Sequence, residues 1–234
     1  MILSELIQRS PIRIFEQSIH DGLKAGEIGI IASPNGIGKT SVLVQLALDK
    51  LLQSKKVIHV SFTKHTQNVL TWYEDIFDEF INKKNLENTA DVKDEIIKNR
   101  VLMNFNQDGM TKDQVLKSLR AMIINGGFKA EAIIIDGFDF SRTDRERITA
   151  VKDFAIELGV SIWYSCSVKD GGDQYDKEKI PALIKDFTDL IDIVIILDPK
   201  FGHIELSVSK DRDSQISKSL TMRLDPRTLL ISPE

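Results

Sequence analysis

No stretch constrains this chain more than S-P-N-G-I-G-K-T, residues 33 to 40. It follows the apolar run Ile28 to Ala32 and precedes VLVQLALDKLL, whose apolar residues recur at helical spacing. The segment therefore reads strand, tight loop, helix. It matches G-x-x-x-x-G-K-[ST] except that Ser33 stands where the first glycine belongs. Gly36 and Gly38 let the backbone turn its N–H groups inward around phosphates, and the following helix presents the positive end of its dipole. Asn35, Ile37 and Ser41 complete the expected cradle. Lys39 would reach the β- and γ-phosphates of a nucleotide, and the Thr40 hydroxyl would ligate Mg²⁺. A chance glycine-rich turn is the alternative, and the strand before it and helix after it argue against that.

Further apolar runs continue the alternation. Val57 to Phe62 and Val101 to Phe105 are expected strands, and Ala132 to Ile135 reads as a strand buried on both faces, ending in Asp136. Val160 to Ser165 and Ile193 to Leu197 are further buried strands. Between them, the apolar residues from Val69 to Ile81 step by three and four, a helix is expected from near Thr111 with Gln114 at capping-box distance, and Asp144 to Leu158 is helical up to a stop at Gly159. Residues 82 to 100 are polar and read as a surface loop with a short helix. The tail differs: HIELSVS, residues 203 to 209, alternates strictly and leads through a polar stretch into Leu220 to Leu224, which is a hairpin signature. The fold class is thus α/β, a mostly parallel central sheet with helices on both faces and a C-terminal antiparallel hairpin. Residues 1 to 14 read as an N-terminal arm, with Leu3, Leu6 and Ile7 on one helical face, and 15 to 234 as one domain.

Composition narrows the functions. At 42% hydrophobic and 28% charged residues the chain has the balance of a soluble globular protein. Its apolar runs fall far short of the ~20 residues of a membrane span, so no membrane partner is expected. The start MILSELIQRS lacks a secretory pattern, and with a single Cys166 cytoplasm is the expected compartment. Four histidines and one cysteine show no metal-ligand spacing. A net charge of −4 gives DNA contact no support from the whole-protein field. The loop from Val168 to Lys179 carries three Lys against three Asp and one Glu, a poor phosphate binder. Cys166 reads as a small buried residue, and Asp139 as a cap or loop residue rather than a catalytic one.

The segment DGLKAGEIGIIASPNGIGKTSVLVQLAL resembles the strand and phosphate loop of RecA-superfamily ATPases, particularly the DnaB-type helicase and RadA/KaiC branches. PALIKDFTDLIDIVIIL and LSVSKDRD are similar to later segments of the same family, so the resemblance spans about residues 15 to 225. It implies a RecA-like P-loop domain that binds ATP and Mg²⁺, with Asp136 on the metal side, and that forms a homo-oligomeric ring or filament. It also implies that Lys210 and Arg212, at the hairpin tip, act in trans on a neighbour's nucleotide. Alignment places Thr63 where the family carries its catalytic glutamate, with Lys64 and His65 behind it, and Cys166 or Ser167 where a glutamine is expected. Threonine cannot act as a carboxylate base. The expectation is an ATP-binding, oligomerising protein with weak or absent hydrolysis, serving as a switch or assembly factor. One alternative is an active DNA-dependent ATPase, helicase-like or a recombination accessory. The other is a degenerate structural domain.

Overall fold

The computed structural model describes residues 10–62, 66–84, 89–106, 114–168, 175–177, 179–214 and 218–233. Its helices are α1 (Pro11–Ser18), α2 (Lys39–Leu52), α3 (Thr66–Lys84), α4 (Ala90–Lys98), α5 (Gln114–Arg120, continuing as a π-helical turn to Asn125) and α6 (Arg145–Leu158). Its strands are β1 (Ile28–Ser33), β2 (Val57–Ser61), β3 (Arg100–Asn104), β4 (Ala132–Asp136), β5 (Ser161–Ser167), β6 (Ile193–Lys200), β7 (His203–Asp211), β8 (Lys218–Leu224) and β9 (Ile231–Pro233). They form one sheet in the order β3-β2-β4-β5-β1-β6-β7-β8-β9. The first six in that order run parallel, and β7, β8 and β9 add on antiparallel.

Period-two alternation along the buried strands feeds two cores. Ile31, Val57, Ile134 and Trp163 face one core with α1, α2, α3 and α4, while Ile30, Val60, Ile135 and Tyr164 face the other with α5 and α6. Gly29 in β1 pairs with Trp163, and a Cβ there would stand 2.4 Å from the indole. The glycine is what lets the large ring lie flat over the strand.

α6 begins and ends as its sequence predicts. The Asp144 carboxylate accepts from Arg147 N at 2.9 Å, and Gly159 closes the helix at φ 63°. α1 runs across the expected boundary between residues 14 and 15, because Ile12, Phe15 and Ile19 are buried in the main core. Residues 1 to 9, with Leu3, Leu6 and Ile7, lie outside the described residues, as does the expected helix start at Thr111. β9, not anticipated from the sequence, extends the hairpin by pairing with β8. Among the described residues, no helix is long and apolar enough to cross a membrane.

Candidate functional site at the glycine-rich loop

The loop between β1 and α2 leaves the carboxyl end of the sheet. Gly36 at φ 79° and Gly38 at φ 107° occupy the left-handed region, which Asn35 to Lys39 needs in order to turn back into the helix. A Cβ on Gly36 would meet nothing within 4 Å, whereas one on Gly38 would stand 2.5 Å from a methyl of Leu224. Gly38 is the N-cap of α2, and no side chain caps its first turn. The uncapped N–H groups and the helix dipole together favour an anion there.

Lys39 folds back over the loop. Its ammonium donates to the carbonyls of Ser33 at 3.0 Å and Pro34 at 2.7 Å, and reaches Ser33 Oγ at 3.3 Å. Burial lowers its pKa, against the opposing pull of Cys166 and Asp136. Thr40 Oγ1 donates to Asp136 Oδ2 at 2.8 Å. Two neighbouring crossings produce that contact: β4, which ends at Asp136, lies one strand away from β1, with β5 between them. Asp136 is almost fully buried.

β5 ends alongside the loop, with Cys166 opposite Ala32 and Ser167 opposite Ser33. Cys166 is buried, and burial pushes its thiol up to about 12 even though Lys39 pulls the other way. It is a packed small residue rather than a reactive thiol. Asp139 caps the short turn Phe140–Arg142, accepting from Ser141 N at 3.0 Å and Ser141 Oγ at 2.6 Å, and pairs with Arg142 at 3.3 Å. It therefore caps a turn, as the sequence suggested.

The structure brings Asn35 to Ser41 and Asp136 together and holds Lys210 and Arg212 apart from them. Arg212 grips Glu27 through Nε and Nη2, at 2.8 and 2.9 Å, donates to the Gly22 carbonyl at 2.9 Å, and places Nη1 on Asp211 at 2.7 Å. Glu27 precedes the first residue of β1, so the six-residue strand separates this grip from the loop by roughly 20 Å. Lys210 is buried, and its ammonium donates to the Ile191 carbonyl. Thr63, Lys64 and His65 lie outside the described residues, as does most of the loop from Val168 to Lys179.

Sequence reasoning missed a group on the far side of α2. Ser41 Oγ donates to the Leu229 carbonyl at 2.5 Å, and Gln45 donates to the same carbonyl at 2.9 Å while accepting from Ile231 N at 2.8 Å. No local pattern could have joined residues 188 positions apart. It also missed His59, buried on β2 with its Nδ1 3.1 Å from Tyr73 Oη. Among the described residues, no group of three or more His, Cys, Asp or Glu side chains is arranged to hold a metal ion. No family model matches the chain, and no curated protein matches it.

Proposed function

We propose that the chain is a RecA-like nucleotide-binding domain that takes ATP with Mg²⁺, self-associates, and hydrolyses ATP slowly or not at all. The observation that carries this reading is the Thr40–Asp136 hydrogen bond beside Lys39. It gathers two hard oxygen donors, a lysine ammonium and an uncapped helix N-terminus at one end of the sheet, a combination suited to a metal-bound polyphosphate. In this reading, the backbone from Gly36 to Ser41 holds the phosphates and Lys39 exchanges its loop carbonyls for phosphate oxygens. Thr40 and Asp136 are the residues that would hold the metal. Bound Mg²⁺ would neutralise phosphate charge. Slow turnover is inferred from Thr63 at the glutamate position and from Asp139, whose carboxylate serves its own turn.

The test is calorimetric titration of ATP with Mg²⁺ into the wild type and Lys39→Ala, with phosphate release followed in parallel. The wild type is expected to bind with little release, and the variant to bind roughly 10- to 100-fold more weakly, the loss typical of one hydrogen bond to a charged group. Equal affinity in the two proteins would overturn the phosphate-loop assignment. Rapid release would favour the motor alternative, and absence of binding the structural one.

A further inference from the structure

The C-terminal segment closes on the phosphate-loop helix at two levels. Leu224, the last residue of β8, fills the space beside the N-cap Gly38. One turn further along, the Leu229 carbonyl accepts from both Ser41 and Gln45, and the Gln45 side-chain oxygen Oε1 accepts from Ile231 N. The connecting turn is closed on itself: Asp225 N donates to Leu230 O at 3.0 Å, Leu229 N to Asp225 O at 2.7 Å, and Arg227 N to Asp225 Oδ1 at 2.8 Å. Leu229 sits at φ 55°, a left-handed conformation that leucine rarely adopts. Such a conformation persists where its surroundings over-determine it, and here the surroundings are the first two turns of α2.

We infer that residues 224–233 form a strap whose hold on α2 is linked to occupancy of the phosphate loop, with Gln45 as the positioning residue that joins them. The inference rests on the nucleotide site proposed above. Ser41 belongs both to the cradle and to the strap, because its hydroxyl bonds the strap carbonyl while its backbone lies in the loop. An anion that orders the first turn of α2 fixes Ser41 and Gln45, and with them the acceptors and donors on which β9 depends. Linkage then runs both ways: whatever firms the strap strengthens anion binding by the same factor. Gln45 does not belong to the cradle, so changing it separates the coupling from direct ligand contact.

Hydrogen exchange of the full chain, read on peptides covering 224–233, tests this with three additions: none, Mg²⁺-ATP and Mg²⁺-tripolyphosphate. Both ligands are expected to slow exchange of the β9 amides about 5-fold or more, the lower end of ordinary coupling strengths. Gln45→Ala is expected to speed that exchange, to remove the ligand-induced slowing, and to weaken tripolyphosphate binding several-fold. Binding heat with no change in exchange over 224–233 would overturn the strap and leave the nucleotide site standing. Slowing by ATP but not by bound tripolyphosphate would also overturn it, because the nucleoside would then be touching the segment directly. Absence of binding heat for both ligands would overturn the nucleotide site, and the strap with it.

Discussion

At the scale of single residues, chemistry legible in the sequence is chemistry fixed by position at strand ends. Lys39, Thr40 and Asp136 could be named together because a loop after one strand and a carboxylate ending another must meet when both strands run parallel in one sheet. His59 could not, since its role depends on burial under α3. Burial lowers its pKa from 6.5 to about 4, with Asp136 pulling it up and Arg100 pushing it further down. The folded chain thus keeps His59 neutral where the unfolded chain protonates it. Stability should therefore fall as pH drops from about 6.5 towards about 4, by an amount on the order of 3 kcal/mol. Asp49, whose pKa burial raises against the pull of Arg13, works in the opposite direction, gaining stability as pH falls. Denaturant unfolding at pH 7.5 and 5.0 isolates the histidine: His59→Gln is expected to flatten the loss between the two pH values. An unchanged loss in that variant would mean that other groups set the acid sensitivity.

At the scale of elements, β-branched runs and caps declared most of the fold. The strands expected at Val57 to Phe62 and Ala132 to Ile135 form over Val57–Ser61 and Ala132–Asp136, and Asp144 and Gly159 bound α6. What stayed hidden depends on distant contacts. β9 is three residues long and owes its place to β8 and Gln45. Gly29 shows the same limit, because a glycine inside a strand ordinarily weakens it. Here it makes room for Trp163, so Gly29→Ala should push the indole or the strand aside and destabilise the fold by about 1–3 kcal/mol, the usual range for overpacking. Thermal or urea unfolding measures this. A neutral result would show that Trp163 can move out of the way, and Gly29→Ala with Trp163→Phe should recover part of any loss.

At the scale of the whole molecule, the two ends of β1 divide the labour. The glycine-rich loop follows its last residue, and the Glu27–Arg212 grip ties the hairpin tip in front of its first. The backbone reinforces that tie, with Asp192 Oδ2 accepting from Ile28 N at 2.7 Å and Lys152 held to the same carboxylate. In the proposed oligomer Arg212 would have to release Glu27 to reach a neighbour, whereas Lys210, buried against the Ile191 carbonyl, is better suited to holding the hairpin in place. Two substitutions separate a latch from a simple clasp, because Glu27→Gln weakens the hold on the arginine, which keeps its bonds to the Gly22 carbonyl and Asp211, while Arg212→Ala removes it. If Arg212 serves a neighbouring copy, Glu27→Gln should raise nucleotide-dependent self-association in sedimentation velocity and Arg212→Ala should lower it. Both should leave the nucleotide affinity of the monomer unchanged, since a trans contact acts only across an interface. Both should also cost the fold about 1–3 kcal/mol, discounted towards the lower figure because the arginine is partly exposed, as a charge-assisted pair loses one partner. Equal loss of stability with no change in association for either variant would make the pair a clasp alone, and the hairpin tip would then take no part in another copy's chemistry.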